Sequence, residues 1–226
     1  SCDPALCYDV ANLFNLLSGC SAPPERWERL AVSPFDLRKR FTGLVEREIR
    51  HCRSGHSGRI IAKMNSLADP GMIELLHRAA DAGVEIDLIV RGICCFRPRP
   101  KQDNVRIYSI VDRFLEHTRI FYFENLGEGE YYLSSADWMS RNLDRRIEIL
   151  FPVSDEESRV IIRQFLEFQL ADEDKRRKLL PTGAYTRPRG EQYSALRSQI
   201  RSYRFLQKLY SDQLNGPAET LKVFTS

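Results

Sequence analysis

The chain has 226 residues, 42% hydrophobic and 29% charged, with a net charge of +3. That length and balance suit one large domain or two small ones able to bury a core, and so small a positive excess does not by itself argue for nucleic acid. No apolar run approaches the roughly 18 residues of a membrane helix, no signal peptide is visible, and six cysteines without a CxxC pair are expected as reduced thiols of a cytoplasmic protein, without structural zinc.

Taken in order, Val10, Leu13, Phe14 and Leu17 recur at helical spacing and predict a helix over 9–17 that ends at Gly19. Residues 21–24 are a linker. Ser33-Pro34 suits a cap and a first helical position, opening a helix that carries Phe35, Phe41, Leu44, Val45 and Ile49 to about His51. The run 59–64 is nearly all apolar and predicts a buried strand. Asp69-Pro70 opens a helix that ends near Gly83, and 84–90 is a second strand. Strand–helix–strand at this spacing is a βαβ unit with a parallel pair. Lys63, Asn65 and Arg91 stand at the carboxyl ends of its strands, where open α/β sheets bind ligands.

A loop over 98–103 leads to a third strand over 105–110. One or two helical turns are expected over 111–116. A hairpin follows, with strands over 118–124 and 130–135 and its turn at 125–129. A further strand is expected over 146–152. Residues 156–171 form an amphipathic helix carrying Ile161, Phe165 and Phe168. The basic run 175–178 suits a solvated helix end. A last helix is expected over 194–210, with fraying from Asn215. The succession predicts an α/β fold, a mixed β-sheet flanked by α-helices. Its expected divisions are an N-terminal helix and linker over 1–32, a half-domain over 33–170 and a helical segment over 171–226.

Chemistry concentrates in 107–146. His117 is expected where the short helix runs into a strand. Ser134 and Ser135 close the next strand, and Arg141, Asn142, Asp144, Arg145 and Arg146 follow. No glycine-rich phosphate loop is present, so phosphate would be handled by side chains. An imidazole can be a nucleophile, an acid, a base or a phosphate ligand; a helix-end histidine bonded to a carbonyl is the plain alternative. Arg91 offers a two-pronged fork for phosphate oxygens, or simply caps a strand. Lys63 and Asn65 can touch a polyanion, or Lys63 snorkels from the sheet to water. Ser134 and Ser135 are weak phosphate donors or plain strand-end residues, and Trp138 suits the core. Alternation along 145–149 sends Arg145 and Arg146 to opposite faces, so at most one points into a site.

KMNSLADP at 63–70, LIVRGICC at 88–95, SIVDRFLEHTRIFYFEN at 109–125, SSADWMSRNLDRRIEILFP at 134–152 and AYTRPRG at 184–190 together resemble the C-terminal domain of the long-type bacterial polyphosphate kinases. The resemblance implies a phospholipase D-like half-domain, one of two that each supply half of a pseudo-symmetric site and one histidine. It implies reversible transfer of the terminal phosphate of ATP to inorganic polyphosphate through a phosphohistidine. In that family the phosphorylated histidine, the arginines near magnesium and a tyrosine against adenine lie in the preceding domain. This chain is therefore expected to be one half of a kinase site, inactive alone. His117, the catalytic candidate, and Arg91 match positions that contact ATP and phosphate. Lys63, Asn65, Arg119, Arg141 and Arg146 are candidates for polyphosphate contact, with Arg146 favoured over Arg145 on the resemblance. Asn142 and the arginines beside it either line a polyphosphate tunnel or pair with Asp137, Asp144 and Glu148.

ATP is the expected substrate, with Mg2+ whose ligands lie outside this chain. The expected partners are ATP or ADP, polyphosphate, the preceding domains of the same polypeptide and further copies in a homo-oligomer, without nucleic acid. The expected location is the cytoplasm, including the inner membrane surface. Two other readings stand beside this one. A phospholipase D-type phosphodiesterase would use His117 as nucleophile after self-pairing, but Arg119 stands where that superfamily's HxK motif has lysine, and a second motif is missing. A polyanion-binding module without chemistry is opposed by the small net charge and the lack of aromatics interleaved with a basic face.

Overall fold

A computed structural model describes residues 3–186 and 197–215. The elements in chain order are α1 (Pro4–Leu17), β1 (Ala31–Ser33), α2 (Leu37–Arg53), β2 (Arg59–Met64), α3 (Pro70–Asp81), β3 (Glu85–Val90), β4 (Val105–Ile110), β5 (Ile120–Phe123), β6 (Glu130–Ser134), α4 (Ser140–Asp144), β7 (Glu148–Pro152), α5 (Glu156–Leu170), β8 (Arg176–Lys178) and α6 (Ser198–Asn215). The strands form a mixed sheet in the order β1-β7-β6-β5-β2-β3-β4-β8. The pairs β2–β3 and β3–β4 are parallel and the remaining pairs antiparallel. The α/β expectation, a mixed sheet flanked by helices, is met.

Side-chain alternation along the strands divides the core into two layers. Ile60, Ala62 and Met64 of β2, with Phe121 and Phe123 of β5, pack against Phe41 and Leu44 of α2 and Leu76 of α3. Ile61, Ile89 and Ile120 point the other way, against Leu166 and Phe165 of α5. Residues 59–64 can be apolar almost throughout because helices cover both faces. A third cluster of Leu13, Trp27, Leu30 and Val32 seats α1 against the β1 edge. There the Asp9 carboxylate accepts the amides of Glu28, Arg29 and Leu30 at 3.0, 2.6 and 2.8 Å.

Several local expectations give way. The first helix begins at Pro4, because Asp3 caps it through the amides of Ala5 and Leu6; the same Asp-Pro signal opens α3. Ser33-Pro34 does not start a helix. Ser33 ends strand β1, whose Ala31–Ser33 pair with Leu150–Glu148, and the peptide to Pro34 is cis. The N-cap position of α2 falls to Asp36, whose side chain accepts the Val32 amide at 2.7 Å.

The helical turns expected over 111–116 are absent, and 111–119 is irregular. Val111, Phe114 and Leu115 are exposed there, so no apolar face rewards a helix. Strand β7 starts at Glu148, after the short helix α4 that periodicity did not show. Arg145 and Arg146 therefore lie in a turn, with the Arg146 amide bonded to the Arg141 carbonyl, and strand alternation does not apply to them. The basic run after α5 is not a helix end: Arg176–Lys178 form edge strand β8 against β4. The last helix is described from Ser198 to Asn215; the expected start at 194, the fraying beyond 215 and the Arg187–Gly190 part of AYTRPRG lie outside the described residues. Cys7, Cys20, Cys52, Cys94 and Cys95 form no disulfide among the described residues. Among the described residues no helix is long and apolar enough to cross a membrane.

Candidate functional site

The register sets the site. Met64 pairs with Val90, and Ile89 with Tyr108, so β2, β3 and β4 finish at one end of the sheet. Lys63 pairs with Ile120, so β5 begins at that same end. Ser134 pairs with Leu150, which brings the end of β6 and the start of β7 there as well. Lys63, Asn65, Arg91, His117, Arg119, Arg141 and Arg146 thus all emerge at the carboxyl end of the parallel strands. Gly92 lets the strands close up there: its amide donates to the Asn65 carbonyl at 2.8 Å, and a Cβ at that position would lie 3.0 Å from the same oxygen.

His117 is exposed and is held by Arg119, two residues on. Arg119 Nη1 donates to His117 Nδ1 at 3.0 Å and to its carbonyl at 3.0 Å. Arg119 Nε donates to Asp137 Oδ1 at 3.0 Å, and the same oxygen accepts the Asn65 amide at 2.9 Å. Asp137 therefore ties the β2 end to the imidazole through one guanidinium. Because Arg119 is always a donor, Nδ1 must offer its lone pair. A neutral His117 then carries its proton on Nε2.

Lys63 does not snorkel. It is 4% exposed, with Nζ 3.1 Å from Glu116 and 5.8 Å from the Phe165 ring centroid. Burial pushes the Lys63 pKa down, the Glu116 carboxylate pulls it back up, and Arg91 and Arg119 lower it further by repulsion. Glu116 is also the target of two amides: Gln199 Nε2 donates to it at 3.0 Å, and Gln169 Nε2 forms a short hydrogen bond to it. Gln199 further exchanges two 2.8 Å bonds with the Phe114 backbone. The irregular 111–119 segment is thus pinned by side chains of α5 and α6 rather than by its own backbone ladder.

Arg91, Arg141, Arg145 and Arg146 differ from these. Their side chains make no hydrogen bond or ion pair among the described residues. The loop that carries the last three is anchored below them. Arg38 grips Asp69 at 2.8 Å twice and Asp144 at 2.6 Å twice, and Ser140 Oγ donates to Asp69 at 2.6 Å. Burial pushes the Asp69 pKa up, but bonds from Arg38, Ser140 and the Met72 amide outweigh it and hold the carboxyl at about 2. Asn142 donates to Glu148 at 2.5 Å. Ser134 and Ser135 are structural: Ser134 Oγ donates to the Ile149 carbonyl at 2.6 Å, and Ser135 Oγ binds Glu148. Trp138 is fully buried, stacked 5.1 Å from Phe121.

Glu116, Gln169 and Gln199 escaped the sequence reading, and Asp137, expected as a partner of Asn142 and the arginines beside it, instead binds Arg119. A lysine in an apolar strand does signal that a buried carboxylate must exist. Nothing in local sequence indicates which one. Asp137, Gln169 and Gln199 reach the site only through the fold.

The family model described as polyphosphate kinase C-terminal domain 2 matches residues 30–199. The chain is 47% identical over 191 residues to a polyphosphate kinase of Synechocystis sp., covering 84% of this chain and 26% of that protein. It is 48% identical over 191 residues to polyphosphate kinase 1 of Chlorobaculum tepidum, covering 84% and 27%. The crystal structure of polyphosphate kinase from Porphyromonas gingivalis superposes with a TM-score of 0.86 at 41% identity, over 92% of this chain and 32% of that one. The chain thus spans about a quarter of the length of the curated relatives it matches.

Proposed function

We propose, from the premise that this chain belongs to the polyphosphate kinase family as its C-terminal domain 2, that it supplies one half of a site moving the terminal phosphate of ATP reversibly onto inorganic polyphosphate. In the forward direction the bond between that phosphate and the ADP oxygen breaks, and a P–N bond forms on a histidine of the preceding domain. The P–N bond then breaks as a terminal oxygen of polyphosphate takes the phosphate. Phosphoryl transfer asks mainly for positioning and charge neutralisation. Arg91, whose side chain has no hydrogen-bond or ion-pair partner among the described residues, can turn its fork to phosphate oxygens. His117, with Nδ1 occupied by Arg119, offers an Nε2 proton to a phosphate oxygen. Lys63 adds charge from beneath, and Arg141 and Arg146 extend the positive field toward the polymer.

Magnesium is expected to accompany ATP. Its ligands are expected in the preceding domain and on the ATP phosphates, since magnesium takes one or two carboxylates plus phosphate oxygens. The preceding domain and further copies of the polypeptide are proposed partners.

The observation that carries this reading is the emergence of Arg91, Arg141 and Arg146, without side-chain partners among the described residues, at the sheet end that bears an imidazole oriented by Arg119, in a chain with this family match. The test is polyphosphate synthesis from ATP by the chain alone and by the chain joined to its preceding domain. Synthesis is expected only in the joined protein. Substantial synthesis by the chain alone would overturn the half-site reading, and phosphodiester cleavage by it would favour the phosphodiesterase alternative.

A further inference from the structure

A groove of about 610 Å³ runs along the outer face of α2, between that helix and residues 24–27. Lys39, Arg40, Arg47 and Arg50 line it from the helix, and Arg26 from the other wall. Positions 39, 43, 47 and 50 fall on one helical stripe, with 40 beside it. Arg47 is spoken for by Glu130, at 3.1 and 2.7 Å. Arg26, Lys39, Arg40 and Arg50 are exposed, and their side chains make no hydrogen bond or ion pair among the described residues. Acidic residues on the walls are fewer, Glu25 and Asp36, and Asp36 is already bonded to the Val32 amide.

Two features of this stripe weaken the helix, and among the described residues only Arg47 has ion-pair partners, Glu130 and Glu48. Cations in neighbouring turns repel one another. Gly43 in the middle is a poor helix former, yet a Cβ there would meet nothing within 4 Å, so packing does not demand a glycine. What Gly43 does is keep the groove floor open between the cations. The groove also starts at the right place. The first turn of α2 stands at the sheet end that bears His117, because β1 ends with Ser33 opposite Glu148 and Arg38 binds Asp144 of α4. From there Lys39 to Arg50 spans roughly 16 Å of helix at about 1.5 Å per residue.

We propose that this groove is a second polyphosphate-binding site, outside the transfer centre, which holds a stretch of polymer away from the reacting end. A linear chain with a negative charge on each internal phosphate matches the row of separated cations along one helix, of which Lys39, Arg40 and Arg50 have no ion-pair partner among the described residues. The proposal rests on the phosphotransferase reading above.

The test uses the full-length enzyme and inorganic polyphosphate of two lengths, a short oligophosphate that occupies the transfer centre alone and a long chain. Lys39→Glu combined with Arg50→Glu is expected to leave turnover and KM for the short chain unchanged. Affinity for the long chain should fall about tenfold at low salt, with a shallower dependence of log affinity on log salt by about two. Gly43→Gln, which fills the floor without reversing charge, should reproduce the selective loss without lowering the melting temperature. Unchanged long-chain affinity in both variants, or equal losses for short and long chains, would overturn the groove. So would protection of the Lys39→Cys variant from thiol labelling at that position in the ligand-free enzyme, which would show another domain covering it. A wild-type enzyme with no turnover on either chain would instead overturn the phosphotransferase reading, and the groove with it.

Discussion

At the scale of single residues the site separates groups that are held from groups that are free. His117 is oriented by Arg119, whereas the Arg91 side chain makes no hydrogen bond or ion pair among the described residues. In the intact enzyme His117→Ala is expected to lower turnover by about a hundredfold or more while thermal melts stay unchanged, since the residue is exposed. Arg91→Lys keeps the charge but loses the fork, and should weaken ATP binding without affecting stability. A double-mutant cycle on polyphosphate synthesis measures their coupling, and losses that are less than additive are expected if both groups hold one phosphate. Asp69 makes a separate prediction. Its folded pKa of about 2 lies below the ordinary 3.8, so its contribution is present above pH 3.8 and lost as pH falls toward 2. The amount is about 2 kcal/mol. Urea unfolding at neutral and acid pH should show that loss in the wild type and not in Asp69→Asn.

At the scale of elements, the histidine-bearing segment 111–119 borrows its order from α5 and α6. Gln199 of α6 satisfies the Phe114 amide and carbonyl and reaches Glu116. Gln199→Leu removes these bonds, and a stability loss of about 1–3 kcal/mol is expected. Hydrogen exchange at the Phe114 amide should accelerate about tenfold or more, while the amides of β2 and β3 stay protected. The same borrowing explains why 111–116 resembles a helix in composition yet is not one: its hydrogen-bond partners come from another element, distant in sequence.

At the scale of the whole molecule, one sheet covered on both faces fixes the end at which the cations gather. Its larger core meets at Phe41, fully buried, with its ring 4.7 Å from Phe121 and 5.5 Å from Trp138. Phe41→Ala is expected to destabilise the fold by about 3–5 kcal/mol, measurable by urea denaturation. It should reduce activity only in step with unfolding, since Phe41 projects from α2 into the core against Phe121 and Trp138 rather than into the site.

Sequence alone determined the elements whose signal is local. The apolar run of β2, the Asp69-Pro70 start of α3 and the βαβ unit all follow from patterns a few residues long, because caps, turns and periodicity are short-range physics. The candidates Lys63, Asn65 and Arg91 followed from that unit, and His117 from its place before a strand. Tertiary structure decided what depends on partners far along the chain. Ala31–Ser33 became a strand because β7 was there to pair with it, and Arg176–Lys178 because β4 presented an edge. Lys63 is buried because Glu116 arrives 53 residues later to meet it, and Arg119 is an orienting strut because Asp137 accepts its Nε. Such contacts have no local signature: a buried charge requires a counter-charge, but only the folded sheet chooses which one.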